Sequence, residues 1–267
     1  MEDTRAQSTQ DETPGMEDIY FGLQAELDFT KHIGALDTTN ELLELLHIDG
    51  SEYVLEVGCG VGRTPAYVAK KFGCRVVGVD IREKMIARCR ERAQREGLEH
   101  LLEFQVADAQ DLPFEDARFD VVMCESVVAM VPDQQKAMRE YVRVVKPGGY
   151  VGLNEATWRK EPIPELQQHL MRIWGPTIQV RSAEEWQQLL EEAGLRDIVA
   201  RVRPINVRSE AGSRFKRLGY WNVLRTWAKM PGMIRTRPDY RAFLKEAFST
   251  PKELIEYWAA GIYVGRK

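Results

Sequence analysis

At 267 residues the chain has room for one large domain, or for one domain carrying a sizeable insertion, while two full domains would be a squeeze. With 44% hydrophobic and 29% charged residues the composition is that of a globular protein with a buried core, which excludes fibrous and disordered classes. No apolar run of about 18 residues occurs, and Met1-Glu2-Asp3-Thr4-Arg5-Ala6-Gln7-Ser8 lacks a charged-then-apolar signal pattern, so the expectation is a cytoplasmic protein.

The net charge of −4 conceals an asymmetry. From Val207 to Glu246 there are ten Lys or Arg against three acids, an excess of seven positive charges within an otherwise acidic chain. Cys59, Cys74, Cys89 and Cys124 form no Cys-x-x-Cys pair and read as reduced core thiols. His32, His47, His100 and His169 are scattered without ligand spacing, so no metal is expected.

Residues 1–15 contain almost nothing apolar and are expected to be a disordered tail. Ile19, Tyr20, Leu23 and Leu27 then recur at helical spacing, predicting a helix over Asp18 to Thr30. A second helix is predicted over Thr39 to His47, where four leucines follow a Thr-x-x-Glu-like start. From residue 53 short apolar runs alternate with helical periods, the pattern of a parallel sheet wrapped by helices. Strands are predicted at Tyr53 to Val57, Arg75 to Val79, Leu102 to Val106, Phe119 to Cys124 and Tyr150 to Asn154. Helices are predicted between them at Arg63 to Phe72, Glu83 to Glu96 and Gln134 to Val145. Each strand is apolar nearly throughout, as burial on both faces requires, and right-handed crossovers make the layout doubly wound.

Ala183 to Ala193 predicts a further helix, Arg196 to Val202 a strand, and Gly261 to Gly265 a last strand. The last two strands enclose about 55 residues, too many for a hairpin, so a helical insertion is expected before the last strand. The organisation is thus a 1–15 tail, a 16–206 core, a 207–259 helical cap and a 260–267 closing strand.

Glu56-Val57 closes a strand, Gly58-Cys59-Gly60-Val61-Gly62 follows, and a helix comes next. Glycines permit positive φ and close approach of a ligand, and a helix start offers N–H groups to negative charge. A tight strand-to-helix turn with no ligand is the alternative. The spacing Gly-x-Gly-x-Gly differs from the Gly-x-Gly-x-x-Gly of dinucleotide enzymes, which shifts weight away from a bound pyrophosphate. Asp80 closes the second strand about 20 residues later, where a carboxylate can accept from both ribose hydroxyls. Asp108, after the third strand, lies over the same crevice and could accept from an adenine amino group; each acid alone could equally be loop solvation.

Glu56 to Gly62, Asp80, Asp108-Ala109, Phe119-Asp120-Val121-Val122 and Val145-Lys146-Pro147-Gly148-Gly149 resemble, in order and spacing, the motif series of class I S-adenosylmethionine-dependent methyltransferases. The match covers about residues 36 to 156, under half the chain. It implies an α/β fold with a doubly wound seven-stranded sheet, Rossmann-like, whose antiparallel last strand lies beside the fifth. It further implies S-adenosyl-L-methionine as cofactor, with the Gly58 to Gly62 backbone facing the methionine part, Asp80 on the ribose, Ile81 against the adenine ring, and Asp108 with Ala109 at the adenine edge. Glu56 and Cys59 join this cofactor-binding set.

Met123-Cys124-Glu125-Ser126-Val127-Val128 is similar to the acidic stretch of the sterol and tocopherol methyltransferase group, whose acceptors are lipophilic. Glu125 reads either as a carboxylate serving the sulfonium or proton removal, or as a structural acceptor at the strand end. It is the candidate catalytic residue, with His32 and Tyr20 as weaker bases.

Over Ser213 to Met230 a helical projection puts Tyr220, Val223, Leu224, Trp227 and Met230 on one side and Arg214, Arg217, Arg225 and Lys229 on the other. This is either a cap with a solvated basic face, or a cover whose aromatics line an acceptor pocket and whose arginines meet an anionic substrate or anionic lipid. Tyr20, His32, Tyr220 and Trp227 are the candidate substrate residues. No nucleic-acid module is visible. The expected function is methyl transfer to a small, lipophilic or anionic acceptor. A nicotinamide-dependent dehydrogenase and an inactive cofactor-binding protein are the alternatives.

Overall fold

The computed structural model describes residues 15–30, 32–205, 228, 232–233, 235–251 and 253–267. Nine helices occur among them: α1 Met16–Leu27, α2 Ala35–Leu45, α3 Arg63–Phe72, α4 Glu83–Glu96, α5 Gln134–Val144, α6 Pro164–Trp174, α7 Ala183–Glu192, α8 Pro238–Phe248 and α9 Leu254–Tyr257. Eight strands form one sheet: β1 Tyr53–Val57, β2 Arg75–Asp80, β3 Leu102–Val106, β4 Phe119–Glu125, β5 Val145–Trp158, β6 Arg181–Ser182, β7 Arg196–Pro204 and β8 Trp258–Arg266. The order is β3-β2-β1-β4-β5-β8-β7, with the two-residue β6 on the extended end of β5. Setting that stub aside leaves the seven expected strands, and β8 runs antiparallel between β5 and β7.

Alternation along each strand divides the core. Val54, Val76, Val121, Met123, Ile262 and Val264 face one way, onto Leu42 and Leu43 of α2, the Leu46 that caps it, and Ala66, Val68 and Ala69 of α3. Leu55, Val57, Val77, Val79, Val122 and Leu153 face the other, onto Met138 and Tyr141 of α5 and Trp186, Leu189 and Leu190 of α7. Period-two alternation between two covered faces is why these strands read as continuous apolar runs. The edges differ: β3 and β7 alternate or face solvent, with Val106, Val199 and Val202 exposed, which for β3 is contrary to the expected burial on both faces.

Several boundaries move for local reasons. α1 stops at Leu27 because Asp28 takes a left-handed φ of 53° and donates its N–H to Gln24 O. α2 begins at Ala35, four residues before Thr39; Gly34 (φ 76°) is its cap, and Thr39 turns inward instead of capping. β5 extends from Val145 through the Pro147-Gly148-Gly149 segment to Trp158 rather than starting at Tyr150. β8 starts at Trp258, three residues before the expected Gly261.

α6 was not expected. Pro164 opens it and Leu166, His169, Leu170 and Ile173 bury one face. Together with α1 and α8 it forms a separate apolar layer of Ile19, Tyr20, Leu23, Leu27, Ile173, Tyr240 and Phe243. The tail expected over 1–15 lies outside the described residues apart from Gly15, as does the basic helix over 213–230 apart from Ala228, and with it Tyr220 and Trp227. Among the described residues no helix is long and apolar enough to cross a membrane.

Candidate functional site

The chain builds β1, β2 and β3 to one side and β4 and β5 to the other, so connections diverge between β1 and β4. In an open parallel sheet that divergence leaves a crevice at the strand C-termini. A cavity of about 280 Å³ opens there, lined by the loops after β1, β2, β3 and β4 and roofed by α1.

The glycine turn is pinned to its neighbour: the Gly58 and Cys59 N–H groups both donate to Val79 O, at 2.8 and 2.9 Å. Gly58, with φ 74°, could not carry a side chain, since a Cβ would stand 2.2 Å from Val127 Cγ2. Gly60 N–H donates to Asp80 Oδ2 and Arg82 N–H to Asp80 Oδ1, each at 3.0 Å. Burial pushes the Asp80 carboxyl above the usual carboxylate range, against those two bonds and the Arg82 charge. Ile81 beside it is 59% exposed, a large apolar side chain at the cavity rim. Asp108 holds the Gln110 N–H at 2.9 Å, and Ala109 and Gln110 continue the wall.

Glu56, Gly58, Cys59, Gly60, Asp80, Ile81, Asp108, Ala109 and Glu125 thus line one space, as does His32. Gly62 does not. Its φ of 74° starts α3, and its Cα packs against Cys89. The Cys59 thiol lies 3.7 Å from that of Cys89, which donates to Gly60 O, and burial holds the Cys59 thiol well above its ordinary pKa. Tyr20 is also absent from the lining; its ring packs edge-on to Trp174, with centroids 4.6 Å apart. The neighbouring stripe of the same helix serves the cavity through Glu17, Phe21 and Gln24, at i, i+4 and i+7. Arg82 secures this roof: its guanidinium sits 4.0 Å over the Phe21 ring and 3.3–3.4 Å from Glu17 and Asp18.

Glu125, 7% exposed, is the hub of a polar cluster. Thr64 Oγ1 donates to its Oε1 at 3.1 Å, while Thr39 Oγ1 and Asn154 Nδ2 donate to Oε2 at 2.9 and 3.0 Å. His32 Nδ1 stands 3.4 Å from the same oxygen. A carboxylate that collects donors from α2, α3 and β5 is held in one orientation. The next residue, Ser126, has a left-handed φ of 58° and gives its N–H to Asn154 O at 2.8 Å. On the far side of β5, Glu155 is fully buried, and its Oε1 accepts from Val127 N–H at 2.8 Å and Val128 N–H at 2.7 Å. Burial pushes its carboxyl up to about 7, opposed by those backbone bonds, with the Glu125 charge adding to the rise.

Sequence reasoning missed Thr39 as a site residue, together with Thr64, Asn154, Glu155 and Phe21. One signal was available for two of them. Asn154-Glu155 interrupts an apolar strand whose neighbours are buried on both faces, and a polar pair in such a place needs partners. Among the described residues no three His, Cys, Asp or Glu side chains cluster as metal ligands.

Comparison with known proteins agrees with this geometry. A family profile described as "Methyltransferase domain" matches residues 55–153. The chain is 33% identical over 220 residues to tocopherol O-methyltransferase, chloroplastic, of Arabidopsis thaliana, covering 78% of this chain and 60% of that one. It is 32% identical over 171 residues to phosphoethanolamine N-methyltransferase 1 of the same plant, covering 64% and 34%. The chain therefore spans less than two thirds of either relative. Among solved structures, the cyclase SpnF superposes with a TM-score of 0.71 at 21% identity, over 94% of both chains, a likeness of fold alone. The profile match, those relatives and the ordered motif series of the crevice agree: residues 55–153 match a methyltransferase domain, and the chain is similar to class I S-adenosylmethionine-dependent methyltransferases.

Proposed function

We propose that the chain binds S-adenosyl-L-methionine, the cofactor of the family it resembles, in the crevice between β1 and β4 and methylates a small acceptor that is lipophilic or anionic. The observation that carries this reading is the continuity of one cavity, which brings the glycine turn, Asp80 and Asp108 into the same space as Glu125 and His32.

The residues present suit the cofactor. Each Asp80 oxygen accepts one backbone N–H and keeps lone-pair capacity for a ribose hydroxyl. Donors from a ligand would also offset the burial that raises this carboxyl. Ile81 offers an exposed apolar surface to the adenine ring, Asp108 and Ala109 its edge, and the side-chain-free Gly58 and Gly60 room for the methionine part, beside Glu56 and Cys59. When bound, S-adenosyl-L-methionine supplies a methyl group already activated on a sulfonium. The protein's task is then alignment and exclusion of water, an effect worth up to roughly 7 to 11 kcal/mol.

α1 closes the cavity from above, and Glu125 fixes negative charge beside the space where a cationic centre would react. His32, held against Glu125, is the group through which an oxygen acceptor's proton would leave. Tyr20 contributes packing of the roof rather than acceptor contact. The range of acceptors draws support from the relatives' names, one a tocopherol and the other a phosphoethanolamine methyltransferase. Tyr220, Trp227 and the basic residues of 207–246 are proposed to meet the acceptor or an anionic lipid surface, which cosedimentation with phosphatidylserine vesicles would test.

Calorimetric titration with S-adenosyl-L-methionine and with NAD tests the cofactor; binding of NAD alone would refute the proposal. Incubation of methyl-labelled cofactor with fractionated extract tests the reaction. A second reading, cofactor binding without methyl transfer, draws support from the fold shared with a cyclase. Cofactor binding with no labelled product in any fraction would favour it.

A further inference from the structure

Near its C-terminal end β5 carries two consecutive buried polar residues, Asn154 and Glu155, that point to opposite faces of the sheet, as strand alternation dictates. Asn154 serves the Glu125 cluster on one face. Glu155 serves the other face, outside the cavity lining, and touches none of the groups assigned above to cofactor or acceptor. What it does touch is the backbone that follows Glu125. The Val127 and Val128 N–H groups converge on its Oε1, and the Ala129 N–H faces the same carboxyl. The segment so held forms a wall of the cavity through Ser126, Val127 and Met130, and Val127 presses on the glycine turn where Gly58 leaves it room.

Ser126 gives this hold its importance. A non-glycine residue at φ 58° is strained and persists only where its surroundings over-determine it. Its own N–H is tied to Asn154 O, its hydroxyl accepts the Ile33 N–H at 3.1 Å, and the next two N–H groups are tied to Glu155. An ionised carboxylate is a stronger acceptor for those two N–H groups than a neutral acid.

We infer that Glu155 is a positioning residue for the cofactor site: its carboxylate holds the wall Ser126–Ala129 against the glycine turn, and loss of its charge releases that wall and weakens ligand binding. The inference rests on the proposed reading of the crevice as the cofactor site. The carboxyl is poised for such control, because burial brings it to about 7. The titratable groups facing it are Glu125 and Cys124 on β4, Tyr141 on α5 and Tyr263 on β8. None of these supplies a compensating positive charge.

If binding requires the ionised form, the dissociation constant is multiplied by one plus the ratio of protonated to ionised Glu155, which is about tenfold between pH 8 and pH 6. S-adenosylhomocysteine is the probe, because it needs no acceptor and carries no sulfonium. Calorimetric affinities of the wild-type protein and Glu155→Gln are compared from pH 6 to pH 8; the comparison at each pH cancels titrating groups common to both, Asp80 and His32 included. The expected result is a wild-type affinity that falls about tenfold on acidification, while Glu155→Gln binds at least about tenfold more weakly than wild type at pH 8 and lacks that fall. A variant that follows the wild-type curve overturns the inference and leaves the cofactor reading standing. A folded wild-type protein that binds no probe at any pH overturns the cofactor reading itself.

A second measurement needs no variant. Amide exchange at Val127 and Val128 in the wild-type protein, corrected for intrinsic rates, should lose protection below pH 7, and unchanged protection would count against the inference.

Discussion

Replacing Glu155 with Gln should remove a pH dependence of stability whose sign is opposite to that of most carboxylates. Burial raises the folded-state value from 4.5 to about 7, so between these values the native protein holds a proton that the unfolded chain has released. Stability from this group is therefore greatest below pH 4.5, declines as pH rises, and is lost above pH 7. A rise of about 2.5 units at about 1.4 kcal/mol each gives about 3 kcal/mol. The side chain is fully buried, so solvent screening does not reduce this figure. Glu155→Gln carries a neutral group of the same shape at every pH and lacks the decline. Urea unfolding of both proteins at half-unit steps from pH 4.5 to 8.5 gives the comparison. Wild-type stability minus that of the variant should fall by about 3 kcal/mol across the window and then level off. The constant offset from exchanging an oxygen for an amide nitrogen does not affect the slope. A difference that stays flat, or rises with pH, would refute the reasoning.

Other substitutions test separate parts of the crevice. Gly58→Ala would force φ 74° on an alanine and drive its Cβ into Val127; about 1–3 kcal/mol of stability should be lost, and calorimetry should show cofactor affinity reduced at least about tenfold. Asp80→Ala should weaken cofactor binding by about 1.5 to 3 kcal/mol, the scale of hydrogen bonds to a charged group, and unchanged affinity would remove Asp80 from the site. Glu125→Gln keeps the shape of the polar cluster without its charge. Turnover should fall about a hundredfold once an acceptor is in hand, while S-adenosylhomocysteine affinity shifts much less. Arg92 is buried and joins Val61 O, Glu96 and Asp28; Arg92→Ala removes the donor to Val61 O while Lys70 still pairs with Glu96 and Arg63 with Asp28, and it should lower the urea midpoint by the equivalent of about 1–3 kcal/mol.

What could be read from the sequence follows the range of the interactions. The glycine turn, Asp80 and Asp108 sit at successive strand ends, and a strand end is a local event: an apolar run stops and a turn residue follows. Their meeting in one crevice then follows from right-handed parallel topology. The threonines of the polar cluster were illegible for the opposite reason. Thr39, Thr64, Glu125 and Asn154 come from α2, α3, β4 and β5, and nothing local distinguishes a threonine that reaches a distant carboxylate from one that caps a helix. Thr39 was read as part of a helix start on that account, whereas Gly34 ended up carrying the cap. Tyr20 shows another limit. Helical periodicity identifies an apolar face but not its partner, and Tyr20 met α6 and α8 while Phe21, one residue on, met the cavity. α6 was legible, since Pro164 and the spacing of Leu166, Leu170 and Ile173 are ordinary helix signals.

The Asn154-Glu155 pair of β5 explains why an α/β crevice can carry buried acids. Glu125 closes β4 beside Asn154, in register across the parallel pair, so the sheet itself supplies a donor to the carboxylate. One residue later alternation turns Glu155 to the other face, under the backbone that Glu125 has just left. The two carboxyls therefore sense each other through a single peptide segment, and the charge of Glu125 adds to the rise at Glu155. Two carboxylates so close in a buried region disfavour joint ionisation. A cationic ligand seated beside Glu125 would relieve that repulsion and favour the ionised form of Glu155. Ligand charge and wall position then become linked through ordinary electrostatics, without any moving domain.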